Sequence, residues 1–137
     1  AYTAIFAERG CEAPAVVRIY RSDANAEHFL AFGTALDGTE ITAETLNSAM
    51  DGLIFENGAA FNTVTADKDG HIRADLNDAF AAQVRSLGTS GEYFLVGAIV
   101  NTLLAAFDGT DVTLTVNGAP LESGHNIYDY ALTRYEE

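Results

Sequence analysis

This 137-residue chain has little of what usually carries chemistry: one cysteine, two prolines, three histidines, no tryptophan, and 7 Lys and Arg against 20 Asp and Glu. The single thiol, Cys11, permits no internal disulfide, and without clustered His or Cys neighbours it builds no structural zinc site. The shortage of basic residues leaves a net charge of -13. A polyanion would meet long-range repulsion where nucleic-acid binders present basic patches, so no nucleic-acid partner is expected. The longest apolar run, near Phe94 to Phe107, is interrupted by Gly97, Asn101 and Thr102, and no membrane span is expected from it. No charged segment followed by an apolar one opens the chain; it reads as a mature or trimmed fragment, and a lipid anchor on preceding residues stays open.

Signature motifs are absent too. No Gly-x-Gly-x-x-Gly or Walker loop is present. Ser90 and Ser123 lack the Gly-x-Ser-x-Gly setting of a hydrolase nucleophile. His28, His71 and His125 are scattered without metal-ligand spacing. "DKDGH", from Asp67 to His71, starts like a calcium loop, but the position of the bidentate acid falls on Leu76 and the flanks read as strands. A hairpin turn explains it. Asp75 and Asp78 form a conceivable acid-base pair, although Asp78 suits the first turn of a helix equally well. No metal, cofactor or catalytic residue is therefore assigned, and the chain is not expected to be an enzyme.

What is present is an ordinary globular composition, 48% hydrophobic and 20% charged, in a length suited to one domain, taken as residues 1–137, around one core. Ala15 to Arg21 and Glu27 to Leu36 read as two strands joined through "SDANA". Thr42 is an N-cap for a helix from Ala43 to Ile54, with Glu44 in its first turn. Ala59 to Ala66 and His71 to Leu76 read as a hairpin turning at Asp-Gly. "NDAFAAQVRSL" suggests a short helix, and Thr89 with Glu92 a capping box for the main one. In the main helix Tyr93, Val96, Val100, Leu103, Leu104 and Phe107 share a stripe, while Gly97, Ala98 and Ala105 allow close packing. Asp111 to Val116 alternates as a half-buried strand before an Asn-Gly turn. The tail "NIYDYALTRYEE" is open between a further strand and a short helix packing its tyrosines on the core, with Glu136 and Glu137 solvated at the end.

Strand period assigns faces. If Ile72, Ala74 and Leu76 face the core with Val112, Leu114 and Val116, then His71, Arg73, Asp75, Thr113 and Thr115 share the opposite face. Those five are the candidate interaction surface, and Leu103 and Val116 are expected to be buried against each other's elements.

The element order, with "ITAETLNSAMDGLI", "HIRADLNDAF" and "VNTLLAAFDGTDVTLTVNGAPLE", resembles the GerMN domain of bacterial sporulation and spore-germination proteins, most strongly over 15–121. The pairs that carry it are Asp75-Leu76, Thr102-Leu103 and Asn117-Gly118. The resemblance implies an α+β fold in which two helices pack on one face of a small, mainly antiparallel sheet, similar to ring-building modules. It also implies a non-catalytic, extracytoplasmic domain, secreted or lipoprotein-anchored, that meets envelope or sporulation proteins by protein contact. Small-ligand binding between helices and sheet is the alternative.

Overall fold

The computed structural model describes residues 16–22, 28–36, 40–124 and 126–135. Residues 23–27, expected to join the first two strands, lie outside the described residues with Cys11, Pro14, His125, Glu136 and Glu137, as does the side chain of Thr89. Chain order is β1 (Val16–Ser22), β2 (Phe29–Ala35), α1 (Ala43–Met50), β3 (Phe61–Ala66), β4 (His71–Leu76), α2 (Asp78–Arg85), α3 (Thr89–Phe107), β5 (Asp111–Val116), β6 (Ala119–Glu122) and β7 (Ile127–Tyr128). The fold is α+β.

Strands β3 to β7 form a five-stranded sheet in chain order, and β1 and β2 form a separate antiparallel pair. Every pairing in the larger sheet is antiparallel except β4 with β5, which run parallel. A parallel pair needs a long crossover, and here α2 and α3 fill it, so the sheet direction follows from the helices between those strands. The tail continues as a strand: β7 pairs β6, and Leu132 exchanges backbone hydrogen bonds with Val112 at 2.7 and 2.8 Å.

Local chemistry sets the boundaries. Thr42 caps α1, accepting from the Thr45 N–H, while the Thr45 hydroxyl accepts from the Thr42 N–H. The helix stops at Met50, short of Ile54, because Asp51 turns extended and Gly52 takes φ 79°. The β3–β4 turn closes at Gly70, φ 86°, where a Cβ would sit 2.6 Å from the Thr110 hydroxyl. Asn117 and Gly118, at φ 49° and 89°, are both left-handed, as a two-residue hairpin of type I′ requires.

The start of α3 corrects the sequence expectation. Its N-cap is Gly88, with no side-chain capping bond, and Glu92 is 2% exposed, its carboxylate reaching Asn126 and Tyr128 of the tail. Nor is the helix apolar on one stripe only. Residues 94–103 are buried without a break, whereas Tyr93 and Ala105 are exposed. A helix apolar all round is a central one: α3 packs against β1, α2, β4 and β5. Ser90–Phe107 is long and apolar enough to cross a membrane by length and composition, and its buried position accounts for that apolarity.

The core-facing residues are those that alternation selects. Ile72, Ala74, Leu76, Val112 and Leu114 are buried, Val116 partly so, against Leu46, Met50, Phe80, Val84, Val96, Ile99, Val100 and Leu103. Phe55 meets Phe61 and Phe80 edge-on, centroids 5.1 and 6.0 Å apart, the arrangement that aromatic quadrupoles prefer.

Candidate functional site

Parallel register sets Arg73 beside Thr113, Asp75 beside Thr115 and His71 beside Asp111, and β3 adds Thr65 beside Arg73 and Thr63 beside Asp75. All five residues expected on the outer face are there, exposed or half-buried. Thr63, Thr65, Arg73, Asp75, Thr113, Thr115 and Gly118 line an open trough of about 450 Å³.

Much of that face is bonded to itself. Asp75 Oδ1 accepts from the Thr115 hydroxyl at 2.6 Å and the Gly118 N–H at 2.8 Å, and Oδ2 accepts from the Asn62 amide at 3.0 Å. Burial pushes the Asp75 carboxyl up, but the hydrogen bonds from Thr115, Asn62 and Gly118 outweigh it and hold the pKa below its ordinary value. The Asn62 amide also donates to Asn117 Oδ1, and the Asn117 amide donates to Asp78 Oδ1 at 2.7 Å. Asp75 and Asp78 are thus joined through two asparagines, and Asp75 is a carboxylate kept ionised by donors, the reverse of what a general acid needs. Its role here is to lock the Asn117-Gly118 turn onto β4.

The other quoted pairs are structural in the same sense. The Thr102 Oγ1, fully buried, accepts the Tyr20 N–H at 2.9 Å and so fastens β1 to α3. Leu103, beside it, is 0% exposed.

At the far end of the face, His71 Nδ1 lies 2.9 Å from Asp111 Oδ2, and this bond, reinforced by the charges of Asp111 and Asp67, raises the His71 pKa. Asp67 Oδ1 accepts from the N–H groups of His71 and Asp69, which lowers its pKa and uses it within its own turn. The calcium-like string is therefore a hairpin turn. Among the described residues no three His, Cys, Asp or Glu side chains come together as a metal cluster.

Two further arrangements escaped the sequence reading. Glu92 Oε2 accepts from the Tyr128 hydroxyl at 2.5 Å and from the Asn126 amide at 3.0 Å, and burial together with Glu92 raises the Tyr128 pKa. Phe29, Tyr93, Phe94 and Tyr135 form an aromatic cluster with neighbouring centroids 4.8 to 6.1 Å apart, and burial there pushes Tyr135 up to about 12. Glu92 read plausibly as a capping residue and the tail carried no firm element, so no local pattern paired them.

Two other concavities flank the helices. One, of about 600 Å³, is open and lined by Arg85, Glu122, Gly124, Asn126 and Ile127. The other is an apolar groove of about 230 Å³ between α2, α3 and the 53–56 loop, with Leu53, Leu87, Phe94, Leu95 and Ala98 in its wall. The Gln83 amide at its rim is already engaged, accepting from the Glu56 N–H and donating to the Ile54 carbonyl.

Comparison with known proteins adds the relationship. The family Germane, described as "Sporulation and spore germination", matches residues 15–122. The tandem GerMN domains of the sporulation protein GerM from Bacillus subtilis superpose with a TM-score of 0.62 at 17% identity over 89% of this chain. This chain spans 44% of that one. The first GerMN domain of the same protein gives 0.59 at 21% identity, over 89% of this chain and 95% of that one. At these identities the likeness is one of fold. Among curated proteins none matches.

Proposed function

Because the chain belongs to the Germane family of GerMN domains, we propose that it serves as a non-catalytic assembly domain outside the cytoplasm, meeting sporulation or other envelope proteins through its open sheet face. One observation carries this reading. The outer face of β3, β4 and β5 is a broad trough of threonines around Arg73 and Asp75, backed by the hydrophobic core, and Asp75 bonds laterally to Thr115 and the Gly118 N–H. That is a surface for docking, with small side chains that lose little entropy on contact.

Small-ligand binding has one observation in its favour, the apolar groove between the helices. Its volume of about 230 Å³ falls below the roughly 300–1,000 Å³ of ordinary ligand sites, and its amide at the rim is consumed internally. Assembly is the better reading.

The test is the double variant Arg73→Glu/Thr113→Glu, which alters the face while sparing the Asp75–Thr115 bond. The expected result is a folded protein with an unchanged melt that no longer retains the envelope proteins captured by the wild type. Identical capture by the folded variant overturns the assignment of this face.

A further inference from the structure

Sheet edges expose unpaired N–H and C=O groups, and proteins usually blunt them. Among the described residues the five-stranded sheet does so at both ends. At β3 the Asn47 side chain takes both backbone groups of Phe61, donating to its carbonyl at 3.0 Å and accepting from its N–H at 2.8 Å, and the register shifts between Phe61 and Thr63. At the other end β7 is only two residues long. Strand β2 has none of these devices. Its seven residues, Phe29 to Ala35, include no charge, no proline and no register shift, and among the described residues it pairs with β1 alone.

The apolar stripe of the hairpin also outruns the core. Val17 and Ile19 are buried at 3% and 0%, yet Phe32, which pairs with Ile19, is 37% exposed and Leu30 is 50% exposed. The charge pattern lets a second copy approach here, and an antiparallel edge is complementary to itself. Residues 16–22 and 28–36 hold no Asp or Glu, although the chain has 20. Elsewhere two bodies of net charge -13 tend to bring acid against acid; along the seven residues of β2 they meet across a neutral seam, with Glu27 and Asp37 just beyond its ends in sequence.

We propose that a second copy of this chain docks its β2 antiparallel against this one about a two-fold axis at Phe32, giving the sheet β1-β2-β2-β1. In that register Leu30 opposes Thr34 of the second copy, Phe29 opposes Ala35, and the two Phe32 rings face each other across the axis. Such cross-strand aromatic and apolar pairs stabilise a sheet. The cationic side chains do not oppose the union. Arg18 and Arg21 lie on β1, and three strand spacings of about 4.8 Å put the two β1 strands about 14 Å apart, beyond the screening length of about 8 Å at physiological salt. This seam lies on a different sheet from the face assigned above, so either can fail alone.

Sedimentation of the full chain across a concentration series, with backbone hydrogen exchange measured in parallel, tests the proposal. The expected result is a concentration-dependent dimer in which the alternate amides of residues 29–35 that do not donate to β1 gain protection. Leu30→Lys/Phe32→Lys raises the dimer Kd by roughly tenfold or more, whereas Val16→Lys, which changes an equally apolar and more exposed side chain on the inner strand, leaves it unchanged. If Phe32→Lys disturbs the fold, Leu30→Lys alone gives the same direction of change. A monomer at every concentration overturns the proposal, as does a dimer insensitive to the lysines or one weakened equally by Val16→Lys. So does a β2 whose outward amides, those not bonded to β1, are already protected in the monomer, since the chain's own residues would then cover the edge.

Discussion

The five-stranded sheet and the β1–β2 hairpin share one core and are fastened to it by different means. In the larger sheet, strands cross-link to one another: Asp75 gathers Thr115, Asn62 and the Gly118 N–H, and Asn47 closes the β3 edge. The hairpin depends on α3. Val17, Ile19 and Tyr20 are buried in the shared core, the Thr102 hydroxyl accepts the Tyr20 N–H, and the Phe29 ring lies against Phe94 beside Gly97. A redundant sheet survives the loss of one bond, while a two-stranded hairpin held mainly by one helix opens as a unit when that contact goes.

The strongest test of this contrast removes what both regions share. Leu103 is fully buried on α3, so Leu103→Ala should cost about 2–5 kcal/mol through lost burial and a cavity, lowering exchange protection in both sheets together. Loss confined to the hairpin would show that the core is not common to them.

Gly97→Leu should act on one region. A Cβ there would sit 2.6 Å from Phe29 Cζ and 2.7 Å from Tyr135 Cδ2, and overpacking of this kind costs about 1–3 kcal/mol. Exchange at residues 16–22 and 29–35 should accelerate while residues 111–116 stay protected. Uniform acceleration would erase the distinction. Thr102→Val keeps the shape and removes the acceptor of the Tyr20 N–H, leaving a buried donor unpaired at a cost of about 1–3 kcal/mol. Chemical denaturation should report the loss, and Thr102→Ser should recover most of it.

The smallest effect belongs to His71 and Asp111 at the solvent end of the larger sheet. Asp111 raises the folded-state pKa of His71 above the ordinary 6.5. The pair's contribution is therefore complete below about pH 6.5 and fades as pH rises through the higher folded value. An NMR titration should place the His71 ring above its ordinary value, and Asp111→Asn should bring it back. A wild-type ring titrating at or below 6.5 would remove the pair from the account.

The alternation of Ile72, Ala74 and Leu76 and of Val112 and Leu114 already determined which side of β4 and β5 is buried, because a pleated strand offers only two faces. Thr42, the Asp-Gly turn and Asn117-Gly118 determined their local geometry for a similar reason, since each solves its backbone problem within four residues. Tertiary structure alone decided the parallel pairing of β4 with β5, the detachment of β1–β2 into its own sheet, and the burial of residues 94–103 of α3 on every side. Those depend on where distant elements come to rest, and an apolar run looks alike whether one face is covered or all of them. Glu92 shows the limit most clearly. Its spacing from Thr89 suits a capping box, yet Tyr128, 36 residues further along, brings a hydroxyl to it inside the core, and a buried carboxylate takes the partner that satisfies it away from water.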